Sequence, residues 1–111
     1  MLASDGQPLS QEVSSMPKGY VIGQIDVTDP EAYKEYAAKV PATIAHFGGR
    51  YLVRGGKSEC KEGSWLPRSV TLEFDSYEQA LAWYESDVYQ AIVGIRQAAS
   101  RGNLVIVEGH E

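Results

Sequence analysis

Residues 19–27 alternate in polarity. Val21, Gly23, Ile25 and Val27 make an apolar face, and Tyr20, Ile22, Gln24 and Asp26 make a mixed one. A two-residue period of this kind is a β-strand with one face on a core. The same period returns at 68–74, where Val70, Leu72 and Phe74 oppose Ser69, Thr71 and Glu73. Helical spacing occupies the stretches after each of these strands, and short strands are expected at 50–54 and 104–107. The order is strand, helix, strand, strand, helix, strand. It predicts an α+β, ferredoxin-like βαββαβ fold: a four-stranded antiparallel sheet with two helices on one face. The uncovered face would carry Ile22, Gln24, Leu52 and Thr71. That mixture is too apolar to stand fully in water, so a homodimer is expected.

Local signals sharpen the boundaries. At Thr28-Asp29-Pro30-Glu31 two helix starts compete, and Asp29 is favoured as the cap because the residue before a proline avoids helical dihedrals. The apolar set Tyr33, Tyr36, Ala37, Val40, Ile44 and Phe47 follows, with Pro41 inside it. Pro41 removes a donor and crowds the preceding turn, so a kink or a split is expected. Gly48-Gly49 should end the helix in a left-handed turn. The second strand is expected from Arg50 to Arg54, resuming toward Cys60, with a bulge or a close backbone approach at Gly55-Gly56. Asp75 and Ser76 offer alternative caps for the next helical stretch. Ser86-Asp87 resembles a break and new cap, after which Val88, Ala91, Ile92, Ile95 and Ala99 continue. Gly102-Asn103 is expected to turn the chain into the last strand.

At 111 residues the chain has room for one domain. Residues 16–111 are expected to form it, and residues 1–15, polar and without pattern, to be a disordered extension with no signal-peptide character. The net charge of −5 argues against a nucleic-acid surface, which needs clustered Lys and Arg. No apolar run reaches the roughly 20 residues of a membrane helix. The single Cys60 cannot close an internal disulfide, which fits a reducing cytoplasm.

Four separated segments resemble one family. They are Val27-Thr28-Asp29-Pro30-Glu31-Ala32-Tyr33, Gly49-Arg50-Tyr51-Leu52-Val53-Arg54-Gly55-Gly56, Trp65-Leu66-Pro67-Arg68, and Ala82 to Ser86 continuing through Tyr89-Gln90. Together they are similar to the domain-of-unknown-function family thirteen-thirty, over about residues 18–109. The resemblance implies a dimeric α+β barrel with a face-to-face dimer. It implies no particular reaction, because that superfamily includes monooxygenases, isomerases and non-catalytic ligand domains. Ser64 stands where an acidic residue often appears in the family, and no acid is assigned there.

The candidate ligand-binding residues are Arg54, Trp65, Arg68, Trp83 and Tyr84. Guanidinium forks match carboxylates and phosphates in two-point contacts, and Trp65 would supply either a flat apolar pocket wall or a dimer contact. The competing reading of Arg54 and Arg68 is internal pairing with Glu59, Glu62 or Glu73. Glu73, if buried, and His46 are the candidate bases. Gly56-Lys57-Ser58 imitates a phosphate loop but lacks its earlier glycine and leads into a strand. His46, His110 and Cys60 share no metal-ligand spacing, so no metal and no cofactor is expected. Two functions therefore compete: a cofactor-independent enzyme acting on a small organic acid or aromatic compound, and a non-catalytic ligand-binding or structural homodimer.

Overall fold

The computed structural model describes residues 17–110; the reading of residues 1–15 as an extension, and the outer limits 16 and 111 of the domain, lie outside the described residues. The chain runs β1 (Gly19–Val27), α1 (Pro30–His46), β2 (Arg50–Arg54), β3 (Arg68–Phe74), α2 (Tyr77–Glu85), α3 (Asp87–Ala99) and β4 (Ser100–Glu108). The strands form one antiparallel sheet in the order β2-β3-β1-β4. The two central strands are the two with the clearest alternation in the sequence. Burial alternates along β1, where Val21 and Ile25 are buried while Ile22 is exposed.

Three helices form where the fold class names two, because the break and new cap expected at Ser86-Asp87 are present. The Ser86 backbone is extended (φ −69°, ψ 153°), so one helix stops and another starts around it. Its hydroxyl donates to the Trp83 carbonyl (2.7 Å) and accepts from the Tyr89 N–H (3.2 Å), so one side chain closes α2 and caps α3. The buried stripe of α3 is Tyr89, Val93, Arg96 and Ala99, displaced from the apolar series anticipated there; Val88 is exposed.

Asp29 caps α1 by accepting from the Ala32 N–H (3.2 Å), with Pro30 in the first turn. Of the two caps offered at α2, Ser76 is the one used, accepting from the Gln79 N–H (3.0 Å). Gly48 has φ +75°, and the N–H groups of Gly48 and Gly49 return to the carbonyls of Ala45 and Ile44. This is the Schellman closure that a glycine permits. Pro41 does not split α1, which continues through it to His46.

Two strand limits also differ from expectation. β2 ends at Arg54 without resuming, and its register shift falls between Tyr51 and Val53, ahead of the glycines. β4 begins at Ser100, earlier than Gly102-Asn103 suggested, because pairing with β1 extends to Val27 opposite Ser100. Glycine at 102 suits this extension, since a Cβ there would collide with the Gln24 carbonyl on β1.

One apolar cluster joins the buried sheet face to all three helices. At its centre Trp83, 1% exposed, lies against Tyr89 with ring centroids 4.2 Å apart. Its indole N–H donates to the Thr43 hydroxyl (3.0 Å), which itself donates to the Val40 carbonyl (2.8 Å). Removing that acceptor strands a buried donor, so Thr43→Val should cost about 1–3 kcal/mol and Thr43→Ser clearly less. Urea denaturation followed by tryptophan fluorescence measures both; equal stability of Thr43→Val and the parent would contradict this account.

Candidate anion-binding site

The site starts from a helix defect. Proline has no N–H, so Pro41 leaves the carbonyl of Ala37, four residues earlier, without its helical partner. Arg54, at the end of β2, fills the gap: its Nη2 donates to the Ala37 carbonyl at 2.9 Å. The same guanidinium lies over the Tyr51 ring, 4.5 Å from its centroid. Two contacts from opposite elements therefore hold an exposed arginine in place.

Arg68 opens β3 and is held from the other side. Gly55 adopts φ +70° and donates to the Ser69 carbonyl (2.8 Å), which turns the chain out of β2 directly beside Arg68. A Cβ at Gly55 would run into the Arg68 guanidinium. The Arg68 guanidinium faces Tyr33, 5.8 Å from the ring centroid. Its Nε is buried with no hydrogen-bond partner among the described residues.

Arg96 is the third member and was not among the residues expected from sequence. It is 8% exposed, and its Nε donates to the Tyr89 hydroxyl (3.3 Å). The Tyr89 hydroxyl in turn lies 2.9 Å from that of Tyr36. The signal available in sequence was spacing: Tyr89, Val93 and Arg96 recur at helical intervals on one stripe.

Arg54, Arg68 and Arg96 border one cavity of about 40 Å³ between the sheet and the helices. Tyr33, Tyr36, Tyr51 and Trp83 are among its walls. Among the described residues no carboxylate pairs with any of the three arginines. Nor do the phenols supply negative charge. Burial, then the neighbouring Tyr89, pushes the Tyr36 hydroxyl far above its ordinary value, and burial raises that of Tyr51. Three arginines without a carboxylate partner among the described residues thus border one small space, an arrangement that an anion would relieve.

The other anticipated residues divide between this cavity and other surfaces. Trp83 is a cavity wall, whereas Tyr84 is half-buried and borders an adjoining groove with Arg96. Trp65 is not brought to the arginines. It is 52% exposed, donates from its indole to the Ser69 hydroxyl (3.0 Å) and borders a shallow groove with Ile22 and Val105 on the open sheet face. Glu73 also points to that face, where Arg50 pairs with it and Tyr20 donates to it (2.9 Å). That bond, more than any other influence, raises the Tyr20 hydroxyl above its ordinary value. His46 is exposed at the end of α1, its ring 5.1 Å from that of Phe47. Glu59 pairs with Lys61 rather than with an arginine of the cavity. Among the described residues no group of three or more His, Cys, Asp or Glu side chains could hold a metal ion, and no helix is long and apolar enough to cross a membrane.

A four-stranded antiparallel sheet with its helices in one apolar cluster, enclosing a cavity, places the chain in the α+β class with ferredoxin-like relatives. The chain belongs to the family described as "Domain of unknown function (DUF1330)", which matches residues 18–110. Its fold is similar to that of a protein of unknown function from Rhodopseudomonas palustris, with TM-score 0.69, 16% identity, and coverage of 95% of this chain and 96% of that one. It is also similar to SnoaB, described as a cofactor-independent oxygenase from Streptomyces nogalater, with TM-score 0.59, 10% identity, and coverage of 86% and 95%. A hypothetical Arabidopsis thaliana protein is similar at TM-score 0.60 and 10% identity, over 87% and 89% of the two chains. No curated protein matches the sequence.

The dependence of Arg68 on its glycine neighbour can be tested directly. Gly55→Ala forces a side chain into left-handed backbone and against the guanidinium, and should cost at least about 1–2 kcal/mol. Gly56→Ala should be near neutral, since a Cβ at Gly56 meets nothing within 4 Å and its φ is not positive. Urea midpoints of the two variants provide the comparison.

Proposed function

We propose that this protein binds a small organic anion in the cavity bordered by Arg54, Arg68 and Arg96. The observation that carries this reading is the set of three arginines without a carboxylate partner among the described residues, around one cavity. Its volume bears on the ligand classes expected from sequence. An engineered apolar cavity of about 150 Å³ takes up benzene, and about 10–15 Å³ holds one water. At about 40 Å³ the space favours a small aliphatic acid over an aromatic ring.

Catalysis in the same cavity is the second reading, favoured by one observation. A relative of the same fold is described as a cofactor-independent oxygenase, and Arg96 with Tyr36 would stabilise a developing oxyanion. Against it, the titratable side chains that border the cavity are arginines and tyrosines, while Glu73 and His46 stand away from it. Binding without a chemical step is therefore the preferred reading. The free, exposed Cys60 is consistent with a reducing, cytoplasmic setting.

The binding reading is tested by thermal melting with acetate, propanoate and phosphate. At ten times the dissociation constant a ligand adds about 1.4 kcal/mol, which raises the Tm of a chain this size by several degrees. Arg68→Ala should abolish that shift while leaving the anion-free Tm unchanged or higher. A large anion-independent loss in Arg68→Ala, with no anion stabilising the parent, would reject the site.

The homodimer belongs to the same proposal. Ile22, Val105 and Val107 are exposed on the open sheet face, with Ile22 directly opposite Val105, and Trp65 lies beside them. A second copy laid face to face would cover this patch, and about 800 Å² per partner is the usual scale of a stable contact. Light scattering should give twice the chain mass for the parent and a single chain mass for Val105→Glu. A monomeric parent at micromolar concentration would refute the dimer.

A further inference from the structure

The donors of the cavity form two clusters rather than one, and their separation bears on the ligand. The first is Arg68 with Arg54, at the start of β3 and the end of β2. The second is the chain Arg96, Tyr89, Tyr36, in which the Arg96 Nε donates to the Tyr89 hydroxyl at 3.3 Å and the two phenolic oxygens lie 2.9 Å apart. Both clusters meet α1 at neighbouring tyrosines. The Arg68 guanidinium faces Tyr33, the phenolic chain ends on Tyr36, and those two rings are 5.6 Å apart.

The protons of the second cluster can be followed. Because Tyr89 accepts from Arg96, its own proton is best given to the Tyr36 oxygen, each bond then polarising the next. The Tyr36 proton is left over, and Tyr36, unlike Tyr89, borders the cavity. Arg96 is a cation more than nine-tenths buried with no carboxylate partner among the described residues. Tyr36 does not neutralise it, since burial, and then the neighbouring Tyr89, hold its hydroxyl in the protonated form. This end of the cavity therefore offers donors and positive charge to an oxygen that arrives as an acceptor.

We propose that the ligand is a short-chain oxo acid, its carboxylate held by Arg68 and Arg54 and its carbonyl oxygen held by Tyr36 and Arg96. The assignment rests on the anion-binding reading above and deepens it. A hydroxy acid fits less well, because its hydroxyl brings a further proton to a cluster already rich in donors. An unsubstituted fatty acid leaves the buried cation and the spare phenolic proton unmet. The small volume excludes long chains from the interior.

The test is a calorimetric titration of the full chain with three matched pairs: pyruvate and propanoate, acetoacetate and butanoate, levulinate and pentanoate. The position of the oxo group along the series reports the span between the clusters. At least one oxo acid should bind about tenfold or more tightly than its parent acid, the usual scale of a hydrogen bond to a charged group. Lactate should fall below pyruvate if that pair is the responsive one. Tyr36→Phe and Arg96→Gln should each bring the oxo-to-parent ratio to within about twofold, a ratio that a merely structural role would leave intact. Should Arg96→Gln fail to fold, the near-isosteric Tyr36→Phe decides alone. Equal affinity within every pair, or an advantage that survives substitution, overturns the oxo-acid assignment and leaves the anion site standing. Failure of all six acids to bind the parent overturns both.

Discussion

The tilted packing of Trp83 against Tyr89 is the contact on which the other elements depend. Trp83 comes from α2 and Tyr89 from α3, and the two rings reach each other because Ser86 bends the chain between them. Phe74 from β3 lies 5.6 Å from Trp83, and Tyr36 from α1 meets Tyr89 edge-on. Large rings bury much area each, so one aromatic group of this kind can join a sheet and three helices in a chain too short for a thick core. The indole and phenol groups also bring polar atoms inside. Each has found a partner there: Thr43 for Trp83, and Tyr36 and Arg96 for Tyr89.

That polar content is where the core becomes a site. A wholly apolar interior would have closed on itself, whereas the hydroxyls of Tyr36 and Tyr89 admit Arg96 to the buried stripe of α3. The arginine is tolerated because it can donate to Tyr89 and because the adjoining cavity offers space for a counter-charge. The packing of the core and the proposed anion site share the same atoms here, so the core positions of α3 are also the positions that set the electrostatics of the cavity.

The sequence carried most of the fold because its signals are local. Alternation in β1 and β3, Asp29 before Pro30, and the Gly48-Gly49 closure depend on neighbours a few residues away. The pocket expected from sequence joined Arg54, Trp65 and Arg68, with Trp83 and Tyr84 as further candidates; the cavity is bordered by Arg54, Arg68 and Trp83 but not by Trp65. Trp65 was not separable from them by pattern, because which side of the sheet a loop folds over is decided by tertiary contacts such as the Leu66 N–H to the Gln24 side chain (3.1 Å). Glu73 was separable, since it alternates with the core residues Leu72 and Phe74 along β3. Arg96 carries no such local mark, because a charged residue in a helix ordinarily faces water, and only the burial of Tyr89 and Val93 on the same stripe reveals otherwise. The register shift in β2 had no local mark either, since Leu52 is not a glycine.

The bond from Arg54 to the Ala37 carbonyl makes the helix and the cavity thermodynamically one system. Any ligand that draws the Arg54 head away from α1 must leave that carbonyl to water or to nothing, and its affinity is reduced by the difference. Linkage works in both directions: a ligand that leaves the bond intact tightens α1 at Pro41, and one that breaks it loosens the helix there. In the proposed anion site Pro41 would thereby bear on selectivity, favouring ligands that use the free faces of Arg54 without moving it, and amide exchange in the turn around Pro41 would report which kind has bound.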